Sequence, residues 1–182
     1  MAVAAPARRI ALFGGSFNPP HLGHVLCATW AKLQSEVDEV WVLPVAEHPY
    51  GKDLPAFDRR CELCRLAFAD LDFVTVSDAE TRNPGGRTVT LVERLAAEHP
   101  AVIWYLIGGT DTGRDLAHWY RGTDLLRLVR VIAVPRRGYD DDHPAALPAI
   151  SSTLVRRRLA AGEAIDDLVP HRVATSLRRS SS

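Results

Sequence analysis

Apolar positions along the 182-residue chain fall into two kinds of run that alternate. Short, nearly continuous runs occupy residues 10–13, 37–45, 73–77, 102–107 and 129–134. Runs of this length and character suit strands buried on both faces of a parallel sheet. Between them, apolar residues recur with helical spacing. From His21 onward, Val25, Leu26, Thr29, Trp30 and Leu33 share a face; over 57–71, Leu63, Cys64, Ala67 and Leu71 do. Residues 88–99 turn Val89, Val92, Leu95 and Ala96 inward, and 116–128 reads as one further helix. Pro44 closes the second strand and Pro100 ends the third helix. Strand and helix thus alternate about five times, which predicts an α/β, doubly wound parallel sheet of about five strands with helices on both faces, in a single domain over 1–182. Residues 1–7 are expected to fray, 140–148 to form a mobile acidic loop, and 178–182 to be a disordered tail.

Composition narrows the function classes. Lysine plus arginine equals aspartate plus glutamate at 22 each, so no global field draws the chain to nucleic acid or to a membrane. The opening MAVAAPARR is too short and too weakly apolar for a signal peptide, and no apolar run reaches spanning length, so a cytoplasmic protein is expected. Cys27, Cys61 and Cys64 are too few for a secreted disulfide framework. The Cys61–Cys64 spacing would suit half a zinc site, but there is no second pair, and Cys64 lies on the apolar face of its helix. Core packing is the role expected of it.

Chemistry concentrates in residues 10–24, IALFGGSFNPPHLGH. Gly14 and Gly15 follow a strand end, where a missing Cβ lets main-chain N–H groups approach a ligand and where open α/β sheets bind theirs. Pro19 and Pro20 re-aim the chain into a helix, and His21 and His24 stand three apart in its first turn. Free N–H groups and the helix dipole favour anions there, so the stretch is expected to hold a triphosphate. A second glycine pair, Gly108–Gly109, follows the fourth strand. Asp111 beyond it could accept from ribose hydroxyls, while Thr110 would serve equally as a helix cap. In the loop 46–55, Lys52 could reach a phosphate or be plain surface. Ser151 or Ser152 caps a last helix that carries Arg156, Arg157 and Arg158, of which at most two can face one ligand.

The stretch GGSFNPPHLGH resembles the Gly-x-Phe-Asp-Pro-x-His-x-Gly-His signature of the nucleotidyltransferase superfamily, and ISSTLVR at 150–156 its second signature. Within that superfamily the chain is most similar to the bacterial nicotinate-mononucleotide adenylyltransferases. The likeness rests on LIGG-x-D at 106–111, Trp119–Tyr120, PRRGY at 135–139 and GEAIDDLVPHRV at 162–173. It implies a Rossmann-like fold and transfer of AMP from ATP to nicotinate mononucleotide, with pyrophosphate released and Mg²⁺ bound on the ATP. It also implies roles: His21, His24 and Arg156 in catalysis; Gly14, Gly15, Ser16, Phe17, Gly108, Asp111, Ser152 and Thr153 on ATP; Lys52, Arg87, Trp119 and Tyr120 on the acceptor. Small nucleotides are the implied partners, with homo-oligomers by analogy. Two departures stand out: Asn18 replaces the usual Asp, and Gly86-Arg87-Thr88 replaces a Ser-Tyr-Thr that reads the pyridine ring. Arg87 is then either a partner for the nicotinate carboxylate or exposed surface. The alternatives are another phosphorylated acceptor, such as nicotinamide mononucleotide or phosphopantetheine, and a nucleotide-binding regulatory protein of low turnover.

Overall fold

The computed structural model describes residues 7–48, 51 and 53–179, with only the main chain at 111, 113 and 114. The five apolar runs are strands: β1 (Arg8–Gly15), β2 (Glu39–Pro44), β3 (Val74–Val76), β4 (Val102–Gly109) and β5 (Arg130–Val134). Around them lie α1 (Leu22–Gln34), α2 (Phe57–Ala67), α3 (Thr88–Glu98), α4 (Thr110–Asp115), α5 (Gly122–Leu128), α6 (Ser152–Ala160) and α7 (His171–Arg179). All strand pairs are parallel, in the order β3-β2-β1-β4-β5. The chain therefore leaves β1 toward one edge of the sheet and returns on its other side at β4. A crevice opens at the carboxyl ends of those two neighbours, the place where such sheets take ligands.

Period-two alternation explains why both faces are apolar. Ile10 and Leu12 enter a core with Trp104, Leu106, Val92 and Leu95 of α3 and Leu125 of α5. Ala11 and Phe13 enter the opposite core with Tyr105, Ile107, Ala28 and Ala31 of α1, Cys64 of α2, Val155 of α6 and Val173 of α7. Cys61 and Cys64 are free and buried in keeping with a packing role, and burial pushes the Cys64 thiol up.

Several expectations need correction. The inward face of α1 is Cys27, Ala28 and Ala31, with Val25 and Trp30 half-buried against the same core as expected, while Leu26 and Leu33 are exposed, Leu33 by 74%. Small side chains let this helix lie close to the sheet, so bulk was a poor guide to burial. Replacing Ala28 or Ala31, both fully buried, with leucine would overpack the interface by about 1–3 kcal/mol. Helix α2 ends at Ala67, and Leu71 instead closes a turn in which its N–H donates to the Phe68 carbonyl, bringing the chain back to β3. Residues 116–128 are not one helix. A 3₁₀ turn (Leu116–His118) gives way to an extended Trp119 and a left-handed Arg121 (φ 50°) before α5 starts. Arg121 is held there by Glu93 and Asp124, which accept from its guanidinium at 2.7 and 2.9 Å. Arg178 and Arg179 belong to α7, and Arg178 pairs with Asp166, so the expected tail is helical there; residues 1–6 and 180–182 lie outside the described residues. The loop over 140–148 is tied down by main-chain bonds, among them Arg137 N–H to the Leu147 carbonyl and Leu147 N–H to the Pro135 carbonyl, both 2.9 Å.

Candidate active site

The crevice is a cleft of about 530 Å³. Of the residues expected to act in it, Gly14, Gly15, Ser16, His21, His24, Arg87, Gly108, Trp119, Tyr120 and Ser152 line it. A Cβ added to Gly14 would meet nothing within 4 Å, so this glycine leaves open space for a ligand to approach the main chain. Gly108 differs: a Cβ there would lie 2.7 Å from the Thr112 methyl, so its bareness lets α4 start tight against the end of β4.

At the amino end of α1, His21 has extended backbone and serves as N-cap, and the Leu22 N–H donates to the Leu168 carbonyl of the carboxyl-terminal segment at 2.8 Å. The two imidazoles stack with centroids 3.7 Å apart and planes at 30°. The His21 main-chain N–H donates to Nδ1 of His24 at 3.1 Å. That bond makes Nδ1 the acceptor, so neutral His24 carries its proton on Nε2, ready to donate. His21 is buried, and its Nδ1 has no hydrogen-bond partner among the described residues. A buried polar atom left without a partner is costly unless something else fills the site, and here it lines an anion-sized cleft. Burial lowers the His21 pKa from 6.5 to about 4. His24 is held well below the ordinary histidine value, first by burial, then by the repulsion that protonated His21 would exert on it, and then by Arg136. Both imidazoles are therefore neutral donors and acceptors at physiological pH.

Phe17 is corrected from a lining residue to a support. Its left-handed backbone (φ 46°) turns the ring into the core, where it is 1% exposed and packs on His24 (centroids 4.8 Å) and Phe13 (5.6 Å). Opposite, Ser151 rather than Ser152 caps α6, accepting from the Leu154 N–H at 3.2 Å. Ser152 Oγ donates to the Pro19 carbonyl at 2.9 Å, and Arg156 donates to the Asn18 carbonyl (2.5 Å) and to Thr153 Oγ1 (3.3 Å). Both sequence signatures thus meet at one rim. Arg158 points away to Asp167 at 2.8 Å, so of the three arginines only Arg156 is bonded to this rim.

The opposite wall is open. Trp119 is 38% and Tyr120 58% exposed, and the Arg87 guanidinium lies 5.2 Å from the Tyr120 ring centroid. Arg87 itself stands at the N-cap of α3, whose first turn carries no acidic side chain. Thr110 is the first residue of α4, whose N-cap is Gly109, so it is not the cap, and it donates through Oγ1 to Asp140. The Asp111 side chain and Lys52 lie outside the described residues.

Among the lining residues that the sequence reading gave no role, Glu80, Arg136 and Cys27 carry titratable side chains. Glu80, 5% exposed, accepts from Asn83 Nδ2 at 2.8 Å, and burial raises its pKa. Its place in a polar, turn-rich stretch gave no sign of burial. Arg136 reaches the cleft from the end of β5 and stacks over Tyr139, 5.1 Å from the centroid. A basic pair directly after the fifth strand was a usable signal. Cys27 also lines the cleft, and burial pushes its thiol up to about 12, which favours the protonated form.

The chain matches the cytidylyltransferase-like family model over residues 12–158. It is 47% identical to a nicotinate-nucleotide adenylyltransferase of Anaeromyxobacter dehalogenans over 171 residues, 91% of each chain. A relative of the same name in Myxococcus xanthus is 41% identical, covering 95% of this chain and 93% of its own. Among solved structures, a nicotinate-nucleotide adenylyltransferase from Vibrio parahaemolyticus superposes with TM-score 0.76 at 26% identity over 93% of this chain and 98% of that one. The Plasmodium falciparum nicotinic acid mononucleotide adenylyltransferase complexed with NaAD shares the fold at TM-score 0.74 and 20% identity, over 91% and 93%. The chain belongs to the cytidylyltransferase-like family and, within it, to the nicotinate-nucleotide adenylyltransferases.

Proposed function

We infer that the chain transfers the adenylyl group of ATP to nicotinate mononucleotide, releasing pyrophosphate and deamido-NAD. The observation that carries this reading is the neutral histidine pair, whose orphaned Nδ1 and free Nε2–H line the same cleft as an aromatic wall with a guanidinium on it. The 5′-phosphate oxygen of the mononucleotide attacks the α-phosphorus of ATP in line. The bond from that phosphorus to the bridging oxygen breaks, and the electron pair leaves with pyrophosphate. No covalent enzyme intermediate is needed, so the protein's work is positioning and charge stabilisation.

In this reading Gly14, Gly15 and Ser16 present main chain to the phosphates and His21 and His24 donate to them. Arg156, with Ser152 and Thr153, receives the β and γ phosphates, while Gly108 and Asp111 hold the adenosine. Phe17 acts beneath His24, fixing its ring. Trp119 and Tyr120 stack on or flank the pyridine ring, Arg87 pairs with its carboxylate, and Lys52 meets the acceptor phosphate. Among the described residues there is no cluster of three His, Cys, Asp or Glu side chains that could hold a metal ion. In this reading Mg²⁺ arrives as an ion carried on the triphosphate, whose oxygens it prefers and whose charge it would offset. No described helix is long and apolar enough to cross a membrane. The reading places the enzyme in the cytoplasm, working on small nucleotides rather than nucleic acid, and sedimentation at working concentration measures whether it is a homo-oligomer.

Pyrophosphate release from ATP and Mg²⁺, run in parallel with nicotinate mononucleotide, nicotinamide mononucleotide, phosphopantetheine and no acceptor, tests the reading. Turnover with nicotinate mononucleotide at least ten times that of the others is the expected result. Silence with both pyridine nucleotides would overturn it.

A further inference from the structure

Arg60 is 2% exposed, the largest fully buried side chain of the protein's described residues. It sits one turn before Cys64 on the apolar stripe of α2, and none of the described ion pairs gives it a carboxylate. Its guanidinium donates instead to three main-chain carbonyls: Pro55 at 2.9 Å from Nε, Ser16 at 3.1 Å from Nη1 and Val45 at 2.7 Å from Nη2. These belong to three separate segments. Ser16 is in the glycine turn after β1, Val45 follows β2, and Pro55 ends the loop that carries His48 and Lys52. The Val45 N–H donates to the Gly15 carbonyl at 3.0 Å, so the ends of β1 and β2 and the guanidinium form one closed set of bonds.

Burying a cation without a counter-ion costs several kcal/mol that carbonyl dipoles offset only in part, and a methionine or leucine would fill the same volume without that cost. Packing alone does not account for an arginine here. The carbonyl it holds precedes Phe17, whose left-handed backbone is unfavourable for a residue with a side chain and needs to be over-determined by its surroundings. Because a trans peptide sets its C=O and N–H on opposite edges, fixing the Ser16 carbonyl also fixes the direction of the Phe17 N–H. The positive charge of the guanidinium lies behind the same turn.

We propose that Arg60 is a positioning residue for the phosphates: through main-chain carbonyls it staples the glycine turn after β1 to the end of β2 and to Pro55, and so sets from behind the turn that faces the anion site. This rests on the function inferred above. It does not touch substrate.

The test compares Arg60→Lys, which keeps the charge and loses the planar fork, with Arg60→Met, which loses both. Steady-state kinetics and thermal melts are measured for each beside the wild type. Arg60→Lys is expected to fold and to show KM for ATP raised about 10-fold or more, with Arg60→Met worse still. A purely structural residue gives a different pattern: fewer active molecules lower kcat and leave KM where it was. Wild-type KM values in folded Arg60→Lys, with or without a lowered kcat, overturn the proposal. So does an Arg60→Lys that fails to fold, since the side chain is then a folding determinant. Pyrophosphate release by the wild type is the control that keeps a failure here separate from a failure of the inferred activity.

Discussion

The two ends of the cleft are built on opposite plans. At the histidine end every group is tied to regular structure, from buried His21 through half-buried His24 and Ser152 to Arg156 at the rim: His21 caps α1, His24 takes a main-chain N–H, and Ser152 and Arg156 are bonded to the Pro19 and Asn18 carbonyls. At the other end Arg87, Trp119 and Tyr120 are exposed, and the Arg87 guanidinium lies over the Tyr120 ring. A buried, preorganised end suits the transition state, where a donor need not reorganise as charge develops. An exposed end of long or aromatic side chains suits recognition, where the partner differs from one relative to the next. Chemistry and specificity are thus separable in this molecule.

The largest expected effect tests the buried end. His24→Ala removes a fixed Nε2–H donor and should lower kcat by about 10²- to 10³-fold, the usual cost of losing one preorganised donor. Acceptor preference should not change, because the far wall is untouched. A folded His24→Ala enzyme with near-normal turnover would falsify the assignment.

The same end predicts how stability depends on pH. A histidine whose folded pKa is depressed binds its proton more readily in the unfolded chain, so stability is lost as pH falls from about 6.5 through about 4. For His21 alone the loss amounts to about 3 kcal/mol once the pH is below the folded value. Urea melts of the wild type and His21→Gln at pH 7.5, 5.5 and 4 measure it. The two curves should converge, or cross, toward acid, and a constant gap would mean His21 is not buried as a neutral ring.

The exposed wall carries the next effect. Arg87→Ala should raise KM for nicotinate mononucleotide about 10-fold, the scale of one exposed charge-assisted contact, and leave kcat and KM for ATP within about 2-fold. Nicotinamide mononucleotide, which lacks the carboxylate, should respond little. Equal losses with both acceptors would make Arg87 a partner of the phosphate or of Tyr120 alone.

The contrast between the ends also decides what the sequence could reveal. The histidine end is mostly local: strand, glycine turn and histidines lie within residues 10–24, and one distant contribution, α6, announces itself by a serine cap and an arginine run. The alternation of β1, which places Ile10 and Leu12 on one side and Ala11 and Phe13 on the other, was equally legible, because a period of two needs no tertiary information. The exposed wall is assembled from residues far apart in sequence. Trp119 and Tyr120 reach it only because the chain breaks at Arg121, where ion pairs with Glu93 and Asp124 hold a left-handed turn that helical periodicity cannot show. Leu26 and Leu33 misled for a related reason: hydrophobicity marks what would prefer to be buried, and the close approach of α1 to the sheet rewarded small residues instead. The role of Arg60 was not legible in the sequence, because its three carbonyl partners lie 5, 15 and 44 residues away.

The smallest effect concerns Glu80, which lines the cleft and is buried with one neutral hydrogen bond. Burial raises its pKa, opposed by the Asn83 bond and by Arg94. An acid with a raised folded pKa binds its proton more readily in the folded chain. Its contribution is therefore most favourable below the unfolded value and turns unfavourable as pH rises through the folded one. Glu80→Gln keeps an acceptor for Asn83 and removes the charge, so it should gain about 0.5–1 kcal/mol at pH 7.5, the scale of ordinary stabilising substitutions, and gain nothing at pH 4. Urea melts at the two pH values decide it. If the gain appears and KM for the acceptor is unchanged, Glu80 is a buried cost of shaping the wall. A gain in stability accompanied by weaker acceptor binding would instead make the carboxylate a contact for the mononucleotide, and the exposed wall would then have one buried anchor after all.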